Sequence, residues 1–318
     1  MKNPLLSELH DQAVRDLAWV IGSPGLLDPA FKDFQGRIVS DLFCRDALKG
    51  ASDWLRELDR HPAPLHVFIQ SHSFRRLGRY FELLVTFWLQ QVPGLVFEGI
   101  HIPVNREKVT IGEFDFVFQC DKWGGLLHWE TTVKYYLKAT QHGKWHCYLG
   151  PSARDRLDLK IHKVIDRQLR LGETPEGRAA LEIGDRAIAP QTFFKGYLFY
   201  PLGDDLGSVP ISEGLSPDHL RGWWFRYGAG SISPQRGGAR WRMLDRLAWL
   251  SPCRLQAGQE DMGDDLEGIQ GKIEQHFFRS GSALLIAELE PNQYGGWDEV
   301  SRGFIVPANW PNMANEAG

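Results

Sequence analysis

GEFDFVFQCDKWGGLLHWETTVKYYL, residues 112–137, is the stretch that decides the fold. Its first part alternates: Phe114, Phe116 and Phe118 point one way, Glu113, Asp115 and Val117 the other. Its last part alternates too, with His128, Glu130, Thr132 and Lys134 on a polar face and Leu127, Trp129, Thr131, Val133 and Tyr135 on an apolar one. A period of two marks strands, and the Cys-Asp-Lys-Trp-Gly-Gly between them is turn chemistry. A turn centred between Lys122 and Trp123 sets Asp115 opposite Glu130. Like charges directly opposite each other destabilise a sheet, so a pair kept there implies a cation between them. Hard divalent ions, Mg²⁺ or Mn²⁺, suit two carboxylates. Lys134 shares the face of Glu130, roughly 13 Å farther along the strand, so twist or its long stem must return the ammonium to the acids.

Working outward, FRRLGRYFELLVTFWLQQ (74–91) carries Leu77, Phe81, Leu84, Val85 and Trp88 at helical spacing and ends at Pro93-Gly94. Beside that stripe Arg75, Arg79 and Glu82 follow at spacings that share a helix face, where the arginines can meet phosphates or pair with Glu82. A strand is predicted over 96–104. Ser152 and Asp155 have capping-box spacing, which predicts a helix over 154–170 with Leu157, Ile161, Val164 and Ile165 inward. Arg156, Lys160, Lys163 and Arg167 would form a stripe along it, either a ridge that tracks a phosphate backbone or a solvated face balanced by Asp155, Asp158 and Asp166. GYLFYPL (196–202) predicts a further strand. Residues 203–318 yield only a strand pair near 283–290 and 302–306, after a Gly-, Trp- and Arg-rich stretch at 221–250. Residues 1–71 read as helices, the first stopped by Ser23-Pro24-Gly25.

This order (helix, three strands, helix, strand) and its motifs resemble the PD-(D/E)XK nuclease superfamily. The matching residues are Glu82 in LGRYFE, Asp115 in GEFDFVF, and Glu130 and Lys134 in HWETTVKYYL. The chain also resembles, nearly end to end, an uncharacterised bacterial family assigned to that superfamily, through LGRYFE, EFDF, WE followed by VKYYL, and GPSARDRLDLK. The resemblance implies an α/β fold with a restriction-endonuclease-like core over 72–202, a mixed central sheet flanked by helices, an N-terminal helical region at 1–71 and a C-terminal α+β extension at 203–318. It implies Asp115, Glu130 and Glu82 as ligands of Mg²⁺ or Mn²⁺, Lys134 as the cation at the scissile phosphate, and nucleic acid, DNA ahead of RNA, as the partner. One departure stands out: the superfamily spaces acid and lysine as E-x-K, whereas here E-T-T-V-K puts Thr132 at the lysine position. Two readings follow, an active phosphodiesterase or an inactive nuclease fold that binds nucleic acid as a scaffold.

Composition narrows the classes further. A net charge of −4 over 318 residues argues against a uniformly basic nucleic-acid coat, though not against a local basic groove. Cys44, Cys120, Cys147 and Cys253 are scattered, without the paired spacing of a zinc site or a disulfide framework. His142 and His146 beside Cys147 lack a complementary ligand pair. No apolar run nears the roughly 18 residues a membrane span needs, and the N-terminus has no signal-like apolar core. A cytoplasmic protein without membrane association is expected.

Overall fold

The computed structural model describes residues 4–140, 143–234, 237–258 and 261–312. Helices come first: α1 (Pro4–Glu8), α2 (Gln12–Gly22), α3 (Asp41–Arg60), α4 (Ala63–Gln70) and α5 (Leu77–Gln90). Strands β1 (Val96–Arg106), β2 (Val109–Cys120), β3 (Gly125–Lys138) and β4 (Tyr148–Leu149) follow, then α6 (Leu157–Asp166), α7 (Pro175–Leu181) and β5 (Ala189–Pro201). The chain continues through β6 (Leu220–Arg226), β7 (Arg240–Leu244), β8 (Arg254–Leu255), α8 (Leu266–Arg279), β9 (Leu284–Pro291) and β10 (Trp297–Val306).

The fold is α/β, with helices flanking a mixed ten-stranded sheet ordered β1-β2-β3-β5-β6-β10-β9-β7, β4 lying on β3 and β8 on β10. The β1–β2 and β2–β3 pairs are antiparallel, whereas β5–β6 and β6–β10 are parallel. The β2–β3 hairpin pairs Phe116 with Trp129, Val117 with His128 and Cys120 with Gly125, the register its turn predicts.

Two compact units interleave along the chain. One comprises 1–134, 158–196 and 211–219; the other comprises 135–157, 197–210 and 220–318. In the first, Trp129 stacks between Trp123 and Phe193, with interplanar angles of 5° on both sides. Burying such rings supplies much of a core's hydrophobic stabilisation, a few kcal/mol each at about 25 cal/mol per Å². In the second, α8 places Ile269 and Ile273 against Trp223, Trp241, Leu284, Ile286 and Ile305.

Two helix boundaries differ from the sequence expectation. α5 begins only at Leu77, because Arg76 is still extended (φ −111°, ψ 138°), so Arg75 precedes the helix that carries Arg79 and Glu82. α6 begins at Leu157, not 154. The Asp155 carbonyl accepts the Gly150 N–H at 2.8 Å and Arg156 bridges to Leu149, so Asp155 closes a turn ahead of the helix. Non-helical dihedrals at Arg167 (φ −125°, ψ −64°) then end α6 before a 3₁₀ segment at Gln168–Glu173. The expected four-residue basic stripe is therefore reduced to Lys160 and Lys163, with Arg156 and Arg167 outside the helix.

Candidate metal and phosphate site

Asp115 lies one residue beyond the last ladder pair of the hairpin, Phe116–Trp129. Its Oδ2 accepts the Thr131 N–H at 2.8 Å, so a side chain takes over where a backbone carbonyl would continue the ladder. Glu130, almost fully buried at 2% exposure, sits beside it. The Glu130 carboxylate is held by neutral donors: His128 Nε2 lies 2.8 Å from Oε1, and Gln168 Nε2 donates to Oε2. Its backbone carbonyl accepts Thr192 Oγ1 from β5 at 3.0 Å.

Both acids resist ionisation. Burial, then the Glu130 charge, pushes Asp115 up to about 7. Burial likewise pushes Glu130 up to about 8, against the opposing pull of the Asp115 backbone N–H and of Lys160 and Lys163. Burial lowers His128 to about 4, so at neutral pH the ring is uncharged and acts on Glu130 as a hydrogen-bond partner. Its Nδ1 is buried with no partner, as are Thr131 Oγ1 and Gln168 Oε1.

The cation nearest this acid pair in effect is Lys160 on α6. Burial, then the Lys134 ammonium, lowers its pKa, while Asp115 and Glu130 oppose that fall. Lys134 is thus close enough to act on Lys160. The sequence left Lys160 on either a phosphate-tracking ridge or a solvated face; the signal for its position was its place one turn from the buried Leu157 and Val164. Beside Lys134 the backbones approach so closely that a Cβ on Gly196 would lie 1.7 Å from the Lys134 carbonyl oxygen, and Gly196 takes a φ of 140° that suits glycine.

Among the described residues, the group whose ligand atoms lie within 4.8 Å of one another is His101, Glu113 and Asp115. Glu82 and Glu130, the other acids expected to hold metal, are outside it. Glu82 accepts from Arg79 Nη1 at 2.9 Å and lies 3.7 Å from His101 Nε2. Arg79 Nη1 also contacts His101 Nε2. His101 Nδ1 is 3.2 Å from Glu113 Oε1. The sequence signal for Glu113 was plain in retrospect, two residues from Asp115 on the same strand face; His101 had none. Of the remaining expected contacts, Lys163, Arg75, Arg156 and Arg167 are exposed; His142, set aside as a zinc ligand on its sequence, lies outside the described residues.

A donor set of one imidazole and two carboxylates fits a divalent cation. A family model described as "Domain of unknown function (DUF1853)" matches residues 15–306, nearly the whole chain. The chain belongs to this family. No curated protein and no solved structure matches. In this DUF1853 chain the matched span contains every residue of the site just described.

Proposed function

We propose that the chain is a divergent metal-dependent nuclease, hydrolysing phosphodiester bonds of nucleic acid, with DNA the first substrate to test. The observation that carries this reading is the burial of two carboxylates, Asp115 and Glu130, at adjoining positions on paired strands, with Lys160 acting on both. Adjacent buried acids with raised pKa values are a recurrent mark of functional sites. The succession α5, β1, β2, β3, α6, β5 and the strand order β1-β2-β3-β5 support a restriction-endonuclease-like core.

In this reading Asp115 would hold the cation, with the Glu130 carboxyl fixed beside it by His128 and Gln168. Mg²⁺ or Mn²⁺ would supply a lowered pKa for a bound water and polarisation of a phosphoryl oxygen. Lys160 stabilises the charge that develops on the phosphate, the part the resemblance gave to Lys134, which here acts through its effect on Lys160. Lys163 and Arg75, both exposed, meet backbone phosphates nearby.

A second reading, a nucleic-acid-binding scaffold, is favoured by one observation: Glu130 is already saturated by protein donors on both oxygens, with Thr132 where the superfamily has lysine. The test is cleavage of single-stranded DNA, duplex DNA and RNA by full-length protein with Mn²⁺. Asp115→Asn and Lys160→Ala are each expected to lower the rate by at least about 10²-fold. Binding of these substrates in EDTA with no cleavage by the wild type in Mn²⁺ would establish the scaffold instead.

A further inference from the structure

The ligand group around Asp115 is not the all-acid set of the proposed nuclease site. β1 pairs with β2 through Ile100–Phe116 and Ile102–Phe114, which leaves His101 across from Asp115. His101 also has a left-handed backbone, φ 54°, in the middle of a strand. Glycine adopts that conformation at no steric cost, whereas a side chain there carries one.

The imidazole has a carboxylate at each nitrogen. Nδ1 faces Glu113 Oε1 at 3.2 Å, and Nε2 faces Glu82 Oε2 at 3.7 Å. Histidines that ligate metals characteristically give one nitrogen to the ion and the other, as N–H, to a carboxylate. Arg79 Nη1 contacts Nε2 as the ring now stands, and a guanidinium has no lone pair to accept with. Coordination of an ion through Nδ1 would leave the ring N–H on Nε2, breaking the Arg79 contact there and letting the ring turn toward Glu82, now 3.7 Å away. The Arg79 guanidinium keeps its bond to Glu82.

We propose that His101, Glu113 and Asp115 form a mixed imidazole–carboxylate centre for a first-row transition cation of the Mn²⁺ to Zn²⁺ series, in preference to Mg²⁺, with Glu82 as the positioning residue for His101. The proposal rests on the same Asp115 site as the nuclease reading but not on catalysis there. Mg²⁺ is bound chiefly by oxygen and keeps its waters, so an imidazole adds little to its binding. For Mn²⁺ and Co²⁺ an imidazole is a good ligand. Glu82 thereby changes role, from metal ligand to orienter of a ligand.

The experiment is calorimetric titration of EDTA-stripped, full-length protein with MnCl₂, CoCl₂ and MgCl₂ separately, joined to pulsed EPR of the Mn²⁺ complex. The expected result is affinity for Mn²⁺ and Co²⁺ at least about 10-fold above that for Mg²⁺, with nitrogen hyperfine coupling in the Mn²⁺ spectrum. His101→Gln removes the coupling and the preference; Glu82→Gln keeps the coupling and weakens Mn²⁺ by about 10-fold. Thermal unfolding of each variant confirms that it is folded, and Glu113→Gln, which leaves the strained residue untouched, serves if His101→Gln is not. Equal affinity for Mg²⁺ and Mn²⁺, absence of nitrogen coupling, or no binding of any of the three ions overturns the proposal. Transition-ion binding without cleavage of any substrate upholds it and removes the nuclease reading; Mg²⁺-supported cleavage undiminished in His101→Gln does the reverse.

Discussion

Glu299 and Arg302 in one unit, and Asp115 and Glu130 in the other, are both charged pairs withdrawn from water, and they are handled in opposite ways. Arg302 donates through Nε to Glu299 Oε1 at 2.5 Å and through Nη2 to Oε2 at 2.9 Å, and its remaining donors reach the Trp249 and Ser251 carbonyls. Burial opposes the Arg302 charge, but Glu299 outweighs it and holds the guanidinium above its usual value. That pair is opposite in sign and richly hydrogen-bonded. Asp115 and Glu130 share a sign, rely on neutral donors, and are both driven toward their protonated forms. One unit neutralises its buried charges by pairing them; the other neutralises its two acids by protonation.

Breaking the matched pair should give the largest effect. Arg302→Ala strands the Glu299 carboxylate in the interior and is expected to cost about 3–5 kcal/mol in urea unfolding. In the other unit the sign should reverse. Asp115→Asn keeps an oxygen for the Thr131 N–H, removes the repulsion with Glu130, and is expected to stabilise the metal-free protein by about 1–2 kcal/mol. A destabilising Asp115→Asn would dissolve the comparison, because it would mean the two acids are as well matched as Arg302 and Glu299.

The pH dependence of the metal-free protein sharpens the same contrast. Asp115 and Glu130 have folded values raised from 3.8 and 4.5 to about 7 and about 8, so the folded state binds protons more tightly than the unfolded chain. Their contribution is fully present below about 4 and is lost as pH rises to 8. His128, lowered from 6.5 to about 4, works the other way between those two values. Above 6.5 only the carboxylates still titrate, so the melting temperature should fall from pH 6.5 to 8, and Asp115→Asn should flatten that slope. The smallest expected effect is at His101: replacement by Gly relieves a left-handed side chain, at some cost in backbone entropy, for a net gain of about 0.5 kcal/mol in the same unfolding measurement.

The hairpin was legible because strand alternation and a short turn fix a register with no knowledge of the rest of the chain. α5 was legible for the same local reason, an apolar stripe bounded by Pro93-Gly94. β6 and β7 were not. Gly222 and Gly303 interrupt the apolar pattern of β6 and β10, yet a Cβ on Gly303 would lie 2.0 Å from the Trp223 ring. The glycine is there to seat an indole across a parallel pair, and that pairing, Gly303 with Trp223, joins residues far apart in sequence. At the site, Asp115 and Glu130 followed from the register, but Lys160 depended on where α6 starts, and His101 on which residue of β1 falls across from Asp115. Neither is encoded locally.

The Trp123–Trp129 stack, with ring centroids 5.7 Å apart and planes within 5° of parallel, has an optical consequence. Indoles so close share their electronic excitation, and the circular dichroism this coupling gives depends on the angle between their transition moments. Trp129 is joined covalently to His128 on one side and to Glu130 on the other. A shift in either neighbour tilts one chromophore against its partner and rotates that signal, so the hairpin carries its own label-free reporter of what happens at its acids.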